Sequence, residues 1–329
     1  MSIGSRHRAS RRRLLGAVAA AAALPAFGED AYPNRPITLI VPFAAGGIAD
    51  LTARIVAEAM VAQLRQPIVI DNRPSAGNIV GTSAVAQARR DGYTLLLMSN
   101  GNAVSASLFR KLPFDVSKDF TPVSTLGFFD LVLLVDAQSR FASLGQVLGE
   151  ARKRPGKLTI GTIAPGSTQN LAAELFRSST AIDALIVPYK TSPAVVSALR
   201  TGEIDLAFEI LGPMLGQIKS GAVRALAVTS RDRLPVLSDV PTMREAAGLD
   251  DFVVASWNAL AAPAGTPAPT VARLVLATHA ALASPATRER LEALGVRPQA
   301  GTPAELRALL ASEIDRWRSV ILAAHIPPQ

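Results

Sequence analysis

Three short segments of the chain offer chemistry to a ligand, and two of them pair small residues with the start of a predicted helix. In Pro42-Phe43-Ala44-Ala45-Gly46-Gly47 the glycines let backbone approach a ligand closely. The free N–H groups of the following helix, together with its dipole, attract an anion. The same spacing also suits a plain strand-to-helix turn. Asp50 falls in the first turn of that helix, where a carboxylate complements the macrodipole. Pro165-Gly166-Ser167-Thr168 repeats the arrangement, and Ser167 or Thr168 is placed to cap the next helix. Ser99-Asn100-Gly101-Asn102 follows a predicted strand and offers amide and hydroxyl donors, or forms an ordinary turn. The first turn is neither a P-loop nor GxGxxG, and the chain has no GxSxG elbow.

Catalytic constellations are hard to assemble from what else is present. Cysteine is absent, which removes disulfides, thiolate metal sites, Fe–S clusters and catalytic thiols. Histidine occurs only as His7, His279 and His325, and His279 sits in a helical pattern with Leu274, Leu276, Ala280 and Leu282. No acid and base stand at a telling spacing in the three turns, so the residues read as binding without turnover. No cofactor is expected. A rival reading, an enzyme acting on a small carboxylic acid, would depend on Asp, Glu, Ser, Lys or Tyr alone.

With 329 residues, 49% of them apolar and 18% charged, the chain has material for about two domains with real cores and lacks the polar signature of disorder. Of the net charge of +8, five units are Arg6, Arg8, Arg11, Arg12 and Arg13 in an acid-free N-terminal segment, so the residues beyond Gly28 carry only +3. That small surplus, with no Lys/Arg run elsewhere, argues against a nucleic-acid partner. The segment has a basic head, an Ala-rich apolar middle and the small-x-small site Ala26-Phe27-Gly28, which predicts an export signal over 1–28 cleaved near Gly28. Ser10-Arg11-Arg12-Arg13-Leu14-Leu15 resembles a twin-arginine signal, a Sec signal being the alternative. The expected location is the periplasm.

Positioning the turns falls to a repeated strand, glycine turn, helix unit. Ile37–Pro42 reads as a buried strand, and the helix after it places Ile48, Leu51, Ile55, Ala59 and Ala62 on one face. Strands follow at Ile68–Asp71 and Tyr93–Met98. The unit restarts with a strand at Leu158–Thr162, a helix from Asn170 to Ser178 with Leu171, Leu175 and Phe176 inward, and strands at Ile186–Pro188, Ile204–Phe208 and Ala225–Thr229. Thr302-Pro303-Ala304-Glu305 opens a C-terminal helix with Leu306, Leu310, Ile314, Trp317 and Ile321 as its stripe. The alternation predicts an α/β fold of mostly parallel sheets covered by helices on both faces, with ligands at the carboxyl ends of the strands.

Several segments together carry a family likeness: Tyr32-Pro33-Asn34-Arg35-Pro36-Ile37, Val41 through Asp50, Asn72-Arg73-Pro74, Asp91-Gly92-Tyr93-Thr94-Leu95-Leu96, Leu112-Pro113-Phe114-Asp115 with Asp119-Phe120, Val187-Pro188-Tyr189-Lys190, and Asp239-Val240-Pro241-Thr242. The set resembles the Bug (Bordetella uptake gene) family, solute-binding proteins of tripartite tricarboxylate transporters. The resemblance implies a two-lobed Venus-flytrap that closes on a small organic acid, its carboxylate held by backbone N–H groups and ordered waters. By matching motif the ligand turns are Phe43 to Asp50, with Ala45, Gly46 and Gly47, and Pro165 to Gln169, with Gly166, Ser167 and Thr168. A further segment runs from Tyr189 through Thr191 to Ser192, and Asp205 of Gly202-Glu203-Ile204-Asp205 is expected near the cleft. The family usually has Gly-Ala-Gly-Gly where Ser75-Ala76-Gly77-Asn78 stands, a glycine at Thr191, and often a histidine at Asn170. Lobe one is expected over 29–128 and 258–329, lobe two over 129–257. The partners implied are membrane subunits of a transporter or a sensor kinase, with the binding protein itself a monomer. The ligand class stays open among dicarboxylates, aromatic acids, amino acids and amides.

Overall fold

Short apolar strands alternate with helices throughout residues 32–329, the part of the chain that a computed structural model describes. The expected export segment and its cleavage site lie outside them. First come β1 (Ile37–Val41), α1 (Ile48–Leu64), β2 (Ile68–Asn72), α2 (Ile79–Ala86), β3 (Thr94–Ser99) and α3 (Asn100–Leu108). A long strand, β4 (Phe120–Asp136), leads to α4 (Leu144–Lys153), β5 (Leu158–Ile163), α5 (Thr168–Thr180), β6 (Ala184–Tyr189), α6 (Ser192–Thr201), β7 (Leu206–Ile210), α7 (Leu211–Lys219), β8 (Val223–Val228) and α8 (Met243–Ala247). The chain returns through β9 (Ala255–Pro263), then α9 (Ala268–Ala283), α10 (Pro285–Ala293), β10 (Arg297–Pro298) and α11 (Pro303–Ala323).

The strands form one curled sheet in the order β2-β1-β3-β9-β4-β7-β5-β6, with β8 and β10 also paired to β4. β4 belongs to two lobes at once. Its residues Phe120 to Asp130 pair with β9, whereas Leu131 to Asp136 pair with β7 and β8. The exchange between Asp130 and Leu131 is matched on the return path. Val254 N–H donates to Thr229 O in the second lobe, and Ala255 already pairs with Asp130 in the first. Residues Phe129 and Ser256 are therefore partners within the first lobe's sheet; nothing in their unbroken strands marks where the partner changes.

Parallel pairing holds at the flanks, where β1 joins β2 and β3 and β5 joins β6 and β7. The pairs made by β4 and β9 are antiparallel. A strand–helix–strand unit returns the chain in the same direction, whereas a chain that crosses to another lobe and back re-enters the sheet reversed. Both faces are covered, which is why the strands read as continuous apolar runs. Along β4, Leu131, Leu133 and Val135 pack with Leu144 and Val147 of α4 and Leu171 and Phe176 of α5. Val132 and Leu134 pack on the other side with Val195 and Leu199 of α6 and Met214 of α7.

The stripe of α11 is as expected, with Leu306, Leu310, Ile314, Trp317 and Ile321 all buried. In α1 the inward face differs. Ala49, Thr52, Ala53, Val56, Met60 and Leu64 are buried with Ile55, while Ala62 is exposed. Alanines occur all round this helix, so apolar periodicity cannot orient it. The small side chains instead bring it close against the sheet and α9.

Candidate functional site

At the end of β1 the chain turns through Gly46, whose φ of +82° calls for glycine. The turn is held from behind. Asp50 Oδ2 accepts from the Gly46 N–H at 2.8 Å and from Arg54 Nε at 2.9 Å, and Oδ1 accepts from Asn72 Nδ2 at 2.9 Å. Asn72 Nδ2 also donates to Phe43 O. Desolvation pushes the Asp50 carboxyl up, but hydrogen bonds from Arg54, the Gly46 N–H and Asn72, with the Arg54 charge, outweigh it and hold the group below the usual range. Gly47 then caps α1 without a side chain. Its φ of −76° suits any residue, and a Cβ there would meet only Ala44 O, at 3.7 Å. The N–H groups of Gly47, Ile48 and Ala49 find no acceptor in the described residues, as expected at an open helix start.

The second turn uses the same plan with different side chains. Ser167 Oγ accepts from Asn170 N–H at 3.1 Å, and Asn170 Oδ1 accepts from the Gly166 N–H at 3.1 Å. Asn170 thus fixes the turn from the helix side, leaving the Thr168 and Gln169 N–H groups without acceptors among the described residues. Gly166 sits so near α3 of the first lobe that a Cβ would collide with Leu108 Cδ2. Beside it the lobes are joined by a hydrogen bond, Asn100 Nδ2 to Thr168 Oγ1 at 2.9 Å. Asn100 Oδ1 accepts from Trp317 Nε1 at 2.8 Å, a donor shared with Glu313 Oε2. Deeper in the second lobe, Gln169 Nε2 and Ser192 Oγ both donate to Glu209 Oε2, and Oε1 has no partner among the described residues. Burial pushes the Glu209 carboxyl up despite those hydrogen bonds.

Both helix starts open onto one cleft of about 900 Å³ between the lobes. Of the residues expected at the ligand, Phe43, Ala45, Gly46, Gly47, Ser99, Pro165, Gly166, Ser167, Thr168 and Gln169 line it. The other expected residues stand elsewhere. Asp50 is buried behind its turn, and Asn100 lies buried beneath the cleft as the cross-lobe link. Tyr189 donates its hydroxyl to Glu203, Thr191 caps α6 through the Ala194 N–H, and Ser192 serves Glu209. Asp205 is at the far end of β7, where its carboxylate accepts from Thr159 N–H and Oγ1. The Gly-x-x-Asp spacing there ends α6 at Gly202 and ties β7 to β5, which is a structural task remote from the cleft.

Lining residues that the sequence reading missed include Phe109, Phe129, Ser256 and Asn258. Asn258 had a legible signal, an amide inside the otherwise apolar run Trp257 to Ala262. The phenylalanines had none, since any phenylalanine in such a chain suits the core. Among the described residues no Asp, Glu, Lys, Arg or His lines the cleft, and they hold no acid or imidazole cluster fit for a metal.

The family model described as the tripartite tricarboxylate transporter family receptor matches residues 52–326. The chain belongs to that family. BugT of Bordetella pertussis is 39% identical over 294 residues, covering 89% of this chain and 90% of that protein. The solved structure of the periplasmic binding protein BugD matches with a TM-score of 0.76 at 31% identity, covering 91% of this receptor and 100% of that chain. R. palustris Rpa4515 with adipate matches with a TM-score of 0.78 at 34% identity and the same coverage. Family and fold are those of solute-binding proteins.

Proposed function

We propose that this receptor works in the periplasm, capturing a small organic carboxylate in its cleft without turnover and delivering it to the membrane subunits of a tripartite tricarboxylate-type transporter. The carrying observation is the convergence of two helix starts with free N–H groups on a cleft that, among the described residues, has no cationic side chain. Backbone donors at a helix terminus hold an anion without a side-chain charge, and hydrogen bonds to an ionised partner contribute about 1.5–3 kcal/mol each. Rpa4515, solved with adipate, supports the ligand class. The hinge is the pair of crossings where β4 and the segment before β9 change lobes.

Thermal unfolding against a panel of organic acids tests the reading, with small-angle scattering on any hit. A ligand at a hundredfold excess over its dissociation constant adds about 2.7 kcal/mol of stability. The expected result is a raised Tm with a radius of gyration no larger than that of the apo protein, and unaltered ligand recovered afterwards. A chemically changed ligand would move the protein to the enzyme class.

A further inference from the structure

The hydrogen bond that joins the lobes is one link in a longer run. Trp317 on α11 is buried, and its Nε1–H is shared between Asn100 Oδ1 and Glu313 Oε2, each at 2.8 Å. An indole N–H can only donate. The Asn100 atom that faces it must therefore be the oxygen, because an amide nitrogen there would set two donors together away from water. Asn100 is itself fully buried. With Oδ1 fixed on the indole, its Nδ2 faces α5 and donates to Thr168 Oγ1 at 2.9 Å. A threonine hydroxyl accepts through its lone pairs and keeps one hydrogen to give. Among the described residues that hydrogen has no acceptor. Thr168 lines the cleft, beside its own open N–H and that of Gln169.

We infer that Trp317 is a positioning residue for capture: by fixing the direction of the Asn100 amide, it leaves the Thr168 hydroxyl as a donor to the ligand carboxylate. This rests on the reading that the helix starts hold the carboxylate. Without the indole N–H the amide is free to turn over, present Oδ1 to Thr168 and take the hydroxyl hydrogen for itself. The cleft then keeps its backbone donors and loses one hydrogen bond to an ionised group. The direction is set from the dry end of the run, by a side chain that never touches the ligand.

Calorimetric titration with adipate, malate and benzoate, continued in the variants with whichever binds the parent most tightly, tests the inference. Trp317→Phe is expected to bind that acid about tenfold more weakly, the effect of one lost hydrogen bond to a charged acceptor. Thr168→Ser keeps the hydroxyl and should bind like the parent, whereas Thr168→Val should lose at least as much as Trp317→Phe. The double variant Trp317→Phe with Thr168→Val should bind no more weakly than Thr168→Val alone, because both changes act through one hydroxyl. Parental affinity in Trp317→Phe, or losses that multiply in the double variant, overturns the inference and leaves the carboxylate reading standing. Should Trp317→Phe fail to fold, the indole N–H resonances of Trp257 and Trp317, the two tryptophans of the chain, supply the readout. The Trp317 signal, the one retained in Trp257→Phe, should shift at saturating acid in the parent and hold still in Thr168→Val. An equal shift in both overturns the inference. If none of the three acids binds the parent, the underlying reading fails and the inference with it.

Discussion

Asp50 and Glu209 are both buried carboxylates beside the cleft, and their surroundings push them in opposite directions. Asp50 accepts hydrogen bonds from the turn it shapes and from Arg54, and is held ionised. Glu209 has an unpaired oxygen and is pushed up from the ordinary 4.5 by burial. Below about pH 4.5 Glu209 is protonated in both folded and unfolded chains. As pH rises toward its folded value the unfolded chain ionises first, so stability falls across that window. Glu209→Gln removes this loss. The Tm of the variant should gain on the parent as pH rises above about 4.5, while Asp130, Glu174 and Glu313, also raised by burial, act alike in both proteins. A difference that stays flat with pH contradicts the assignment. Sequence made Asp50 legible as a first-turn acid but not as a turn brace, because its partner Asn72 is on another strand. Glu209 carried no local signal at all.

Among the elements, the helices that start at the two turns were legible because a strand, glycine and helix in series leave little choice of geometry. The long β4 and the return strand β9 were not read as strands across the lobe boundary, since partner choice in a sheet is a long-range property. The junction of α3 with α5 was likewise invisible, since Asn100 and Thr168 are 68 residues apart and meet only in the fold. Thr168→Val keeps the shape and removes the acceptor, leaving Asn100 Nδ2 buried without a partner. We expect a loss of about 1–3 kcal/mol and a weaker carboxylate affinity, because Thr168 lines the cleft and carries one of its open N–H groups. Thr302→Ala breaks the capping box of α11 at a cost of about 1 kcal/mol and should leave affinity unchanged. If calorimetry shows both variants binding alike, the cross-lobe bond has no part in capture.

At the scale of the whole molecule, two lobes share one strand and present a helix start each to the cleft between them. Burying an anion there without a cation requires the open N–H groups at Gly47 to Ala49 and at Thr168 and Gln169 to act together. Arg73 pairs with Asp71 at 2.8 Å, and neither it nor Lys190 lines the cleft. Calorimetric titration of Gly47→Val, Arg73→Ala and Lys190→Ala with the tightest-binding carboxylate tests this directly. Gly47→Val has room for its Cβ, with Ala44 O the nearest atom at 3.7 Å, so the apo Tm should hold while its methyl groups cover the start of α1. An affinity loss of about a hundredfold is expected for that variant, equivalent to about two charge-assisted hydrogen bonds at the low end of their range, with little change for the other two. Parental affinity in Gly47→Val, with binding abolished in Arg73→Ala or Lys190→Ala, would contradict it and place the carboxylate on a salt bridge.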